Sequence, residues 1–313
     1  MKVKQTHTGH FVGDKEIITV KLSNDKGTLV QILNYGTIIQ KFIVNCANGL
    51  PHDIVLGFDE VSGYLSEVYL SNYPYFGAII GRYANRIKDG KFTLDTVDYQ
   101  LAQNNGNDCL HGGLSGFDKK VWEIVALNET PNPSVTFQYL SLDGEENFPG
   151  DLGIQLTFEL TNHNELILSY QADTDEATPV NLTHHSYFNL GENDTIIEHI
   201  HQMNASTYLE QDDNLAVTGN LLSVKNSIFD FTVPRKINDN WNEKTGYDQT
   251  YVLDKNYGDL TLASSTTAVD TGLTLKVYTT EPVAHFYTAK HLNVKNGKQG
   301  KHYGEFGGFC DET

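Results

Sequence analysis

Residues 154–160 read Ile154-Gln155-Leu156-Thr157-Phe158-Glu159-Leu160, with apolar and polar side chains in strict alternation. Successive side chains of a β-strand point to opposite faces, so Ile154, Leu156, Phe158 and Leu160 form one core-facing row. Leu166, Leu168 and Tyr170 repeat the pattern, as do Leu273, Leu275 and Val277 around Thr274 and Lys276. In 91–101 the apolar set Phe92 and Leu94 changes phase to Val97, Tyr99 and Leu101. That shift predicts a tight turn or bulge at Asp95–Thr96 between two short strands. Asn48–Gly49, Asp89–Gly90, Asn105–Gly106, Asp143–Gly144 and Asn296–Gly297 supply the positive φ that hairpin turns need. Helical periodicity is brief, with one short helix expected within 58–65. The pattern therefore predicts an all-β chain, best built as one large antiparallel β-sandwich with little helix, a single domain over 1–313. Periodicity alone does not separate sandwich from jelly roll, barrel or propeller.

Composition narrows the partners. The chain has 313 residues, 39% of them hydrophobic and 20% charged, ordinary values for a packed globular protein. Its formal net charge is −18, which repels nucleic acid and anionic membranes. Arginine is confined to Arg82, Arg86 and Arg235, so a polyanionic substrate is disfavoured and a neutral small molecule favoured. No apolar run reaches membrane-spanning length, and the opening residues lack the apolar core of a secretory leader. A cytoplasmic protein is expected. Cys46, Cys109 and Cys310 neither pair off as a disulfide framework nor match a zinc spacing, so they read as reduced thiols.

Four segments carry more polar chemistry than a β core requires. Gly81-Arg82-Tyr83-Ala84-Asn85-Arg86-Ile87 reads by itself as readily as a solvated basic turn. Asn104–Gly113 ends in His111 and two glycines, which allow close backbone approach to a ligand. Thr178–Leu190 contains His184 and His185, and adjacent strand residues face opposite ways, so at most one points into a given site. Cys310-Asp311-Glu312 offers two carboxylates on opposite faces, or simply an acidic tail. The histidines show neither the i, i+4 helical spacing nor the CxxC partner of a zinc site, and no metal is expected.

Taken in order, GRYANRI at 81–87, LHGG at 110–113, NLTHHSYFNLG at 181–191, GYDQTYVL at 246–253 and TTEPVAHFYTA at 279–289 resemble the galactose mutarotase (aldose 1-epimerase) family. The resemblance runs from about Leu29 to the last residue and implies a galactose mutarotase-like β-sandwich with a sugar cleft over one sheet face. It also implies an aldose 1-epimerase, an isomerase that interconverts the α and β anomers of aldohexoses such as galactose and glucose. Residue by residue, Glu312 matches the catalytic base, His185 the catalytic acid and His111 a second active-site imidazole. Arg82 and Asp248 match sugar-binding positions; Asn85 and His285 lie in the same matched segments and join them as substrate-binding candidates. No step moves electrons or phosphate, so no cofactor is implied. The partner is a small aldohexose bound by a monomer or homodimer, with no role for nucleic acid or membrane.

The chain departs from the family pattern in carrying His184 where an amide is frequent and His285 where Gln is common. Family members also continue beyond the catalytic Glu, so the chain is expected to lack the C-terminal tail, to fray at Glu312 and to turn over more slowly than a tailed version. Two other readings share the fold. A hexose-6-phosphate 1-epimerase needs a basic cluster for phosphate. A non-catalytic sugar-binding module needs no aligned acid and base, which counts against it here.

Overall fold

The computed structural model describes residues 1–313. Strands dominate it, and the only α-helices are the short segments Val61–Tyr64 and Glu67–Ser71, so the all-β reading holds and the helix expected within 58–65 is present. No helix is long and apolar enough to cross a membrane. The chain divides into two compact units, each assembled from separated stretches. The first comprises Met1–Phe42, Ala78–His184 and Asp212–Ala216; the second comprises Ile43–Gly77, His185–Gln211 and Val217–Thr313.

In the first unit, the alternating stretch lies in the strand Leu152–Leu160, third in a four-stranded antiparallel sheet. Its neighbours are Ser134–Ser141 and Leu166–Thr174, with Glu123–Asn128 beyond the former. Leu152, Ile154, Leu156, Phe158 and Leu160 are buried while Gln155 is exposed, as the period of two requires. Register sets Phe137 opposite Leu156 and Val135 opposite Phe158, and the rings of Phe137 and Phe158 meet edge to face at 5.9 Å. Truncating either ring to Ala in such a place costs about 3–5 kcal/mol. Leu166, Leu168 and Tyr170 stand on the same face but are less covered, because their strand is the edge of the sheet. Lys91–Leu94 and Val97–Gln100 form a hairpin whose turn residues Asp95 and Thr96 both have positive φ, and Phe92 stacks on Tyr99 across it. The phase shift in the sequence is thus a two-residue turn, not a bulge.

The second unit holds a five-stranded sheet in the order Val217–Ser223, Thr207–Gln211, Asp248–Val252, Val283–Tyr287, Cys310–Glu312. A further antiparallel set runs Arg235–Lys236, Ile200–Met203, Thr261–Thr267, Thr274–Thr279. Aromatic packing joins them: the His201 ring stacks on Phe286 at 4.0 Å and meets Phe231 edge-on, while its Nδ1 bonds Thr266 Oγ1 at 2.8 Å. Burial pushes the His201 pKa down to about 3 and that of His199 down to about 4.

Both imidazoles are neutral when folded, whereas an unfolded chain protonates them near the ordinary value of about 6.5. Stability is therefore fully present above about pH 6.5 and is lost as pH falls through the window down to about 4 and then 3, by an order of a few kcal/mol in total. Urea midpoints measured from about pH 7 to about pH 4.5 should fall steadily, and the His201 ring signal should show no titration above about pH 4. A flat stability profile, or a His201 that titrates near 6, refutes this account.

Candidate active site

The site begins with strand register in the second unit. Asp248–Val252, Val283–Tyr287 and Cys310–Glu312 are hydrogen-bonded neighbours, with Thr250 opposite His285 and His285 opposite Glu312. Directly opposed residues share a face, as do residues two apart along a strand. Asp248, Thr250, His285, Tyr287, Cys310 and Glu312 thus occupy one side of the sheet. The other side carries Gln249, Tyr251, Ala284, Phe286 and Asp311, which are buried. Asp311 and Glu312 do face opposite ways. The expected fraying of Glu312 is not found, because its strand is paired and its side chain buried, 7% of the residue being exposed.

His185 is carried to this face by the chain after Thr183–His184, and its carbonyl accepts from Gly77 N at 3.0 Å. Its ring lies between two tyrosines, with Tyr187 stacked at 5.0 Å and Tyr75 at 5.8 Å. Cys310 Sγ sits 3.5 Å from Nδ1. Nε2 stands 3.5 Å from Glu312 Oε1, with both side chains 6% exposed. That separation exceeds an N–H···O hydrogen bond, so the two are in ionic reach without being bonded to each other. Burial pushes the His185 pKa below its ordinary value, while the Glu312 charge opposes the shift. Burial also pushes the Cys310 thiol well up, so it stays S–H.

Beside them His285 Nε2 contacts Asp248 Oδ1 at 2.9 Å and its Nδ1 meets Thr250 Oγ1 at 2.8 Å. On the reverse face Asp311 Oδ2 accepts from Ser264 Oγ at 2.6 Å and Oδ1 is buried without a partner. Burial raises the Asp311 pKa to about 7, with the Glu312 charge adding to the rise and Ser264 opposing it.

The remaining sequence candidates belong to the first unit. His111 and Asn85 clasp each other: His111 N donates to Asn85 O at 3.0 Å, and Asn85 N donates to His111 Nδ1 at 3.2 Å. An Nδ1 that accepts from a backbone amide carries no proton, so the neutral ring bears its N–H at Nε2 and is a donor there. Gly112 has φ +85°, and a Cβ there would lie 2.0 Å from Gly81 O, so the residue after His111 must be glycine. Asn85 Oδ1 is engaged by Arg86 N at 2.9 Å and Arg86 Nη1 at 3.3 Å, bracing its own loop. His184 pairs with Ile79, contacts Thr37 O through Nε2 at 3.2 Å and packs on Phe158.

Arg82 is 2% exposed. Its Nη1 donates to Pro149 O, Gly150 O and Thr178 Oγ1, and its Nη2 to the Ser141 carbonyl and hydroxyl. Only Nε, itself buried, lacks a protein acceptor. Most of this arginine therefore holds loops together, which the sequence reading did not anticipate.

Also missed were Tyr75, Tyr187, Cys310 and Thr250. The period of two could have placed Thr250 with Asp248 and Cys310 with Glu312, whereas nothing in the sequence brings Tyr75 to His185.

A buried imidazole and a buried carboxylate 3.5 Å apart, the carboxylate on a paired strand, are the equipment of an acid–base enzyme. The model of the family described as aldose 1-epimerase matches residues 19–313, and the chain belongs to that family of isomerases. It is 39% identical to galactose mutarotase of Bos taurus over 289 residues, 91% of this chain and 81% of that protein. It is 32% identical to aldose 1-epimerase of Escherichia coli (strain K12) over 299 residues, 93% of this chain and 84% of that protein. Among solved structures, galactose 1-epimerase from Lactobacillus acidophilus matches with a TM-score of 0.85 at 26% identity, over 99% of this chain and 89% of that one.

Arg82→Ala deletes several buried hydrogen bonds and leaves the Pro149 and Gly150 carbonyls without a donor. Urea denaturation should show a loss of roughly 3 kcal/mol or more. A loss under about 1 kcal/mol shows that these bonds do not hold the first unit together.

Proposed function

We propose that this chain is an aldose 1-epimerase that interconverts the α and β anomers of neutral aldohexoses, galactose and glucose among them. One observation carries the reading: His185 Nε2 and Glu312 Oε1 lie 3.5 Å apart. The ring oxygen O5 and the hydroxyl oxygen O1 are bonded to one anomeric carbon, so an acid and a base serving them need to be near neighbours, and 3.5 Å satisfies that. Glu312 takes the O1 proton as C1–O1 becomes a carbonyl, and the electrons of the breaking C1–O5 bond take a proton from His185. Rotation about C1–C2 presents the other carbonyl face. The O5 hydroxyl then adds to it, returning its proton to His185 as Glu312 reprotonates O1. On the resemblance, His111 acts as the second imidazole, and its Nε2–H suits it to stabilise charge developing on a sugar oxygen. Asp248, Asn85 and Arg82 are proposed to hold the substrate, while His285, whose two ring nitrogens are engaged by Asp248 and Thr250, acts from behind Asp248.

The donor in this scheme is the imidazolium. Burial disfavours that form, so rising pH removes the reactive proton early. The alkaline limb of kcat/KM should accordingly fall below the ordinary imidazole value of about 6.5. His185→Asn should abolish that limb, and an alkaline limb near 8 would assign the acid to another group.

Asp248 and Glu312 on the shared face would repel a phosphate, which favours a neutral hexose over a hexose 6-phosphate. The decisive experiment follows optical rotation of freshly dissolved α-D-galactose. Glu312→Gln and His185→Asn should each lower kcat by about 10²–10⁴. Variants that both match wild type refute the assignment.

A further inference from the structure

His285 stands where the family pattern commonly has Gln, and both of its ring nitrogens are engaged. A carboxylate oxygen can only accept, so the contact at 2.9 Å to Asp248 Oδ1 requires a proton on Nε2. In the neutral ring Nδ1 is then an acceptor, and the Thr250 hydroxyl 2.8 Å away donates to it. Thr250 is directly opposite His285 and Asp248 lies two residues earlier on the same strand and face, so the three side chains form a row fixed by backbone pairing. His285 is 8% exposed, and neither of its nitrogens is left over as a sugar ligand.

We propose that His285 is a positioning residue for Asp248: the Thr250–His285–Asp248 chain ties one carboxylate oxygen, aims the other at the sugar, and sets hexose preference through binding. This deepens the epimerase reading and rests on it. A carboxylate whose orientation is fixed by an N–H donor accepts a sugar hydroxyl from a narrow range of directions. It therefore discriminates between epimers whose hydroxyls differ in direction, since the wrong one leaves a charged acceptor unsatisfied. Glu312 is opposite His285 on the other side and His185 is within its electrostatic reach, yet the ring is tied to Asp248 and not to the catalytic pair. The effect should therefore appear in substrate affinity and not in ring opening.

Polarimetric kinetics on galactose and glucose test this. His285→Leu should raise KM about tenfold while kcat stays within about twofold, the loss expected when one charge-assisted bond no longer orients its acceptor. The ratio of kcat/KM between the two sugars should move toward one. His285→Gln, which keeps an N–H donor, should recover most of the affinity. ¹⁵N NMR of the sugar-free protein should show an Nε2-protonated ring in wild type, with the fixed tautomer lost in Thr250→Val. Three results overturn the proposal: His285→Leu lowering kcat with KM unchanged, His285→Gln folding normally yet binding no better than Leu, or an Nδ1-protonated ring in wild type. If wild type shows no mutarotation, the epimerase reading alone fails, because galactose calorimetry on the same variants still decides whether His285 acts through Asp248.

Discussion

The candidate site depends on the register of three antiparallel strands. Thr250 opposite His285, and His285 opposite Glu312, are backbone facts settled by amide hydrogen bonds before any side chain meets a ligand. They gather polar groups on one face and leave Phe286, Tyr251 and Ala284 to fill the core on the other. A slip of one residue would exchange the faces, turning Glu312 toward the aromatic core and Asp311 toward His185. The stacking of Phe286 on His201 and its edge-to-face contact with Phe231 resist that slip. Aromatic packing beneath the sheet thus fixes the geometry of the acid–base pair above it.

That arrangement also explains how one strand can carry two carboxylates with different fates. Asp311 is enclosed, bonded to Ser264, and pushed up to a pKa of about 7. Glu312, one residue on, faces the imidazole of His185. Alternation alone separates the two environments. The tyrosines against His185 do related work, since Tyr75 and Tyr187 confine the ring while excluding the water that would favour its charged form.

Much of this was legible in the sequence because the signals were local. The alternation in 154–160 gave the core row of its strand, and the phase change at Asp95–Thr96 located a turn. His185 and Glu312 were named from the family resemblance, but nothing in spacing along the chain brings positions 185 and 312 within 3.5 Å. The Arg82 clamp was likewise invisible, because its acceptors are carbonyls from 141–150, and backbone atoms leave no mark in sequence. His285 was visible as a departure from the family pattern. Its bond to Asp248 needed the strand register, which residue type does not reveal.

The two compact units are interleaved, each drawing on stretches separated by the other. A ribosome therefore delivers residues 43–77 long before the strands from 200 onward that share their unit, and finishes neither unit before starting the next. Strands within 2–53 and within 123–174 can pair with their neighbours as they emerge, but neither unit is complete until distant stretches arrive, and closing those long loops slows folding. In the cell this topology makes newly made copies candidates for chaperone protection, although the finished fold is an ordinary assembly of antiparallel sheets.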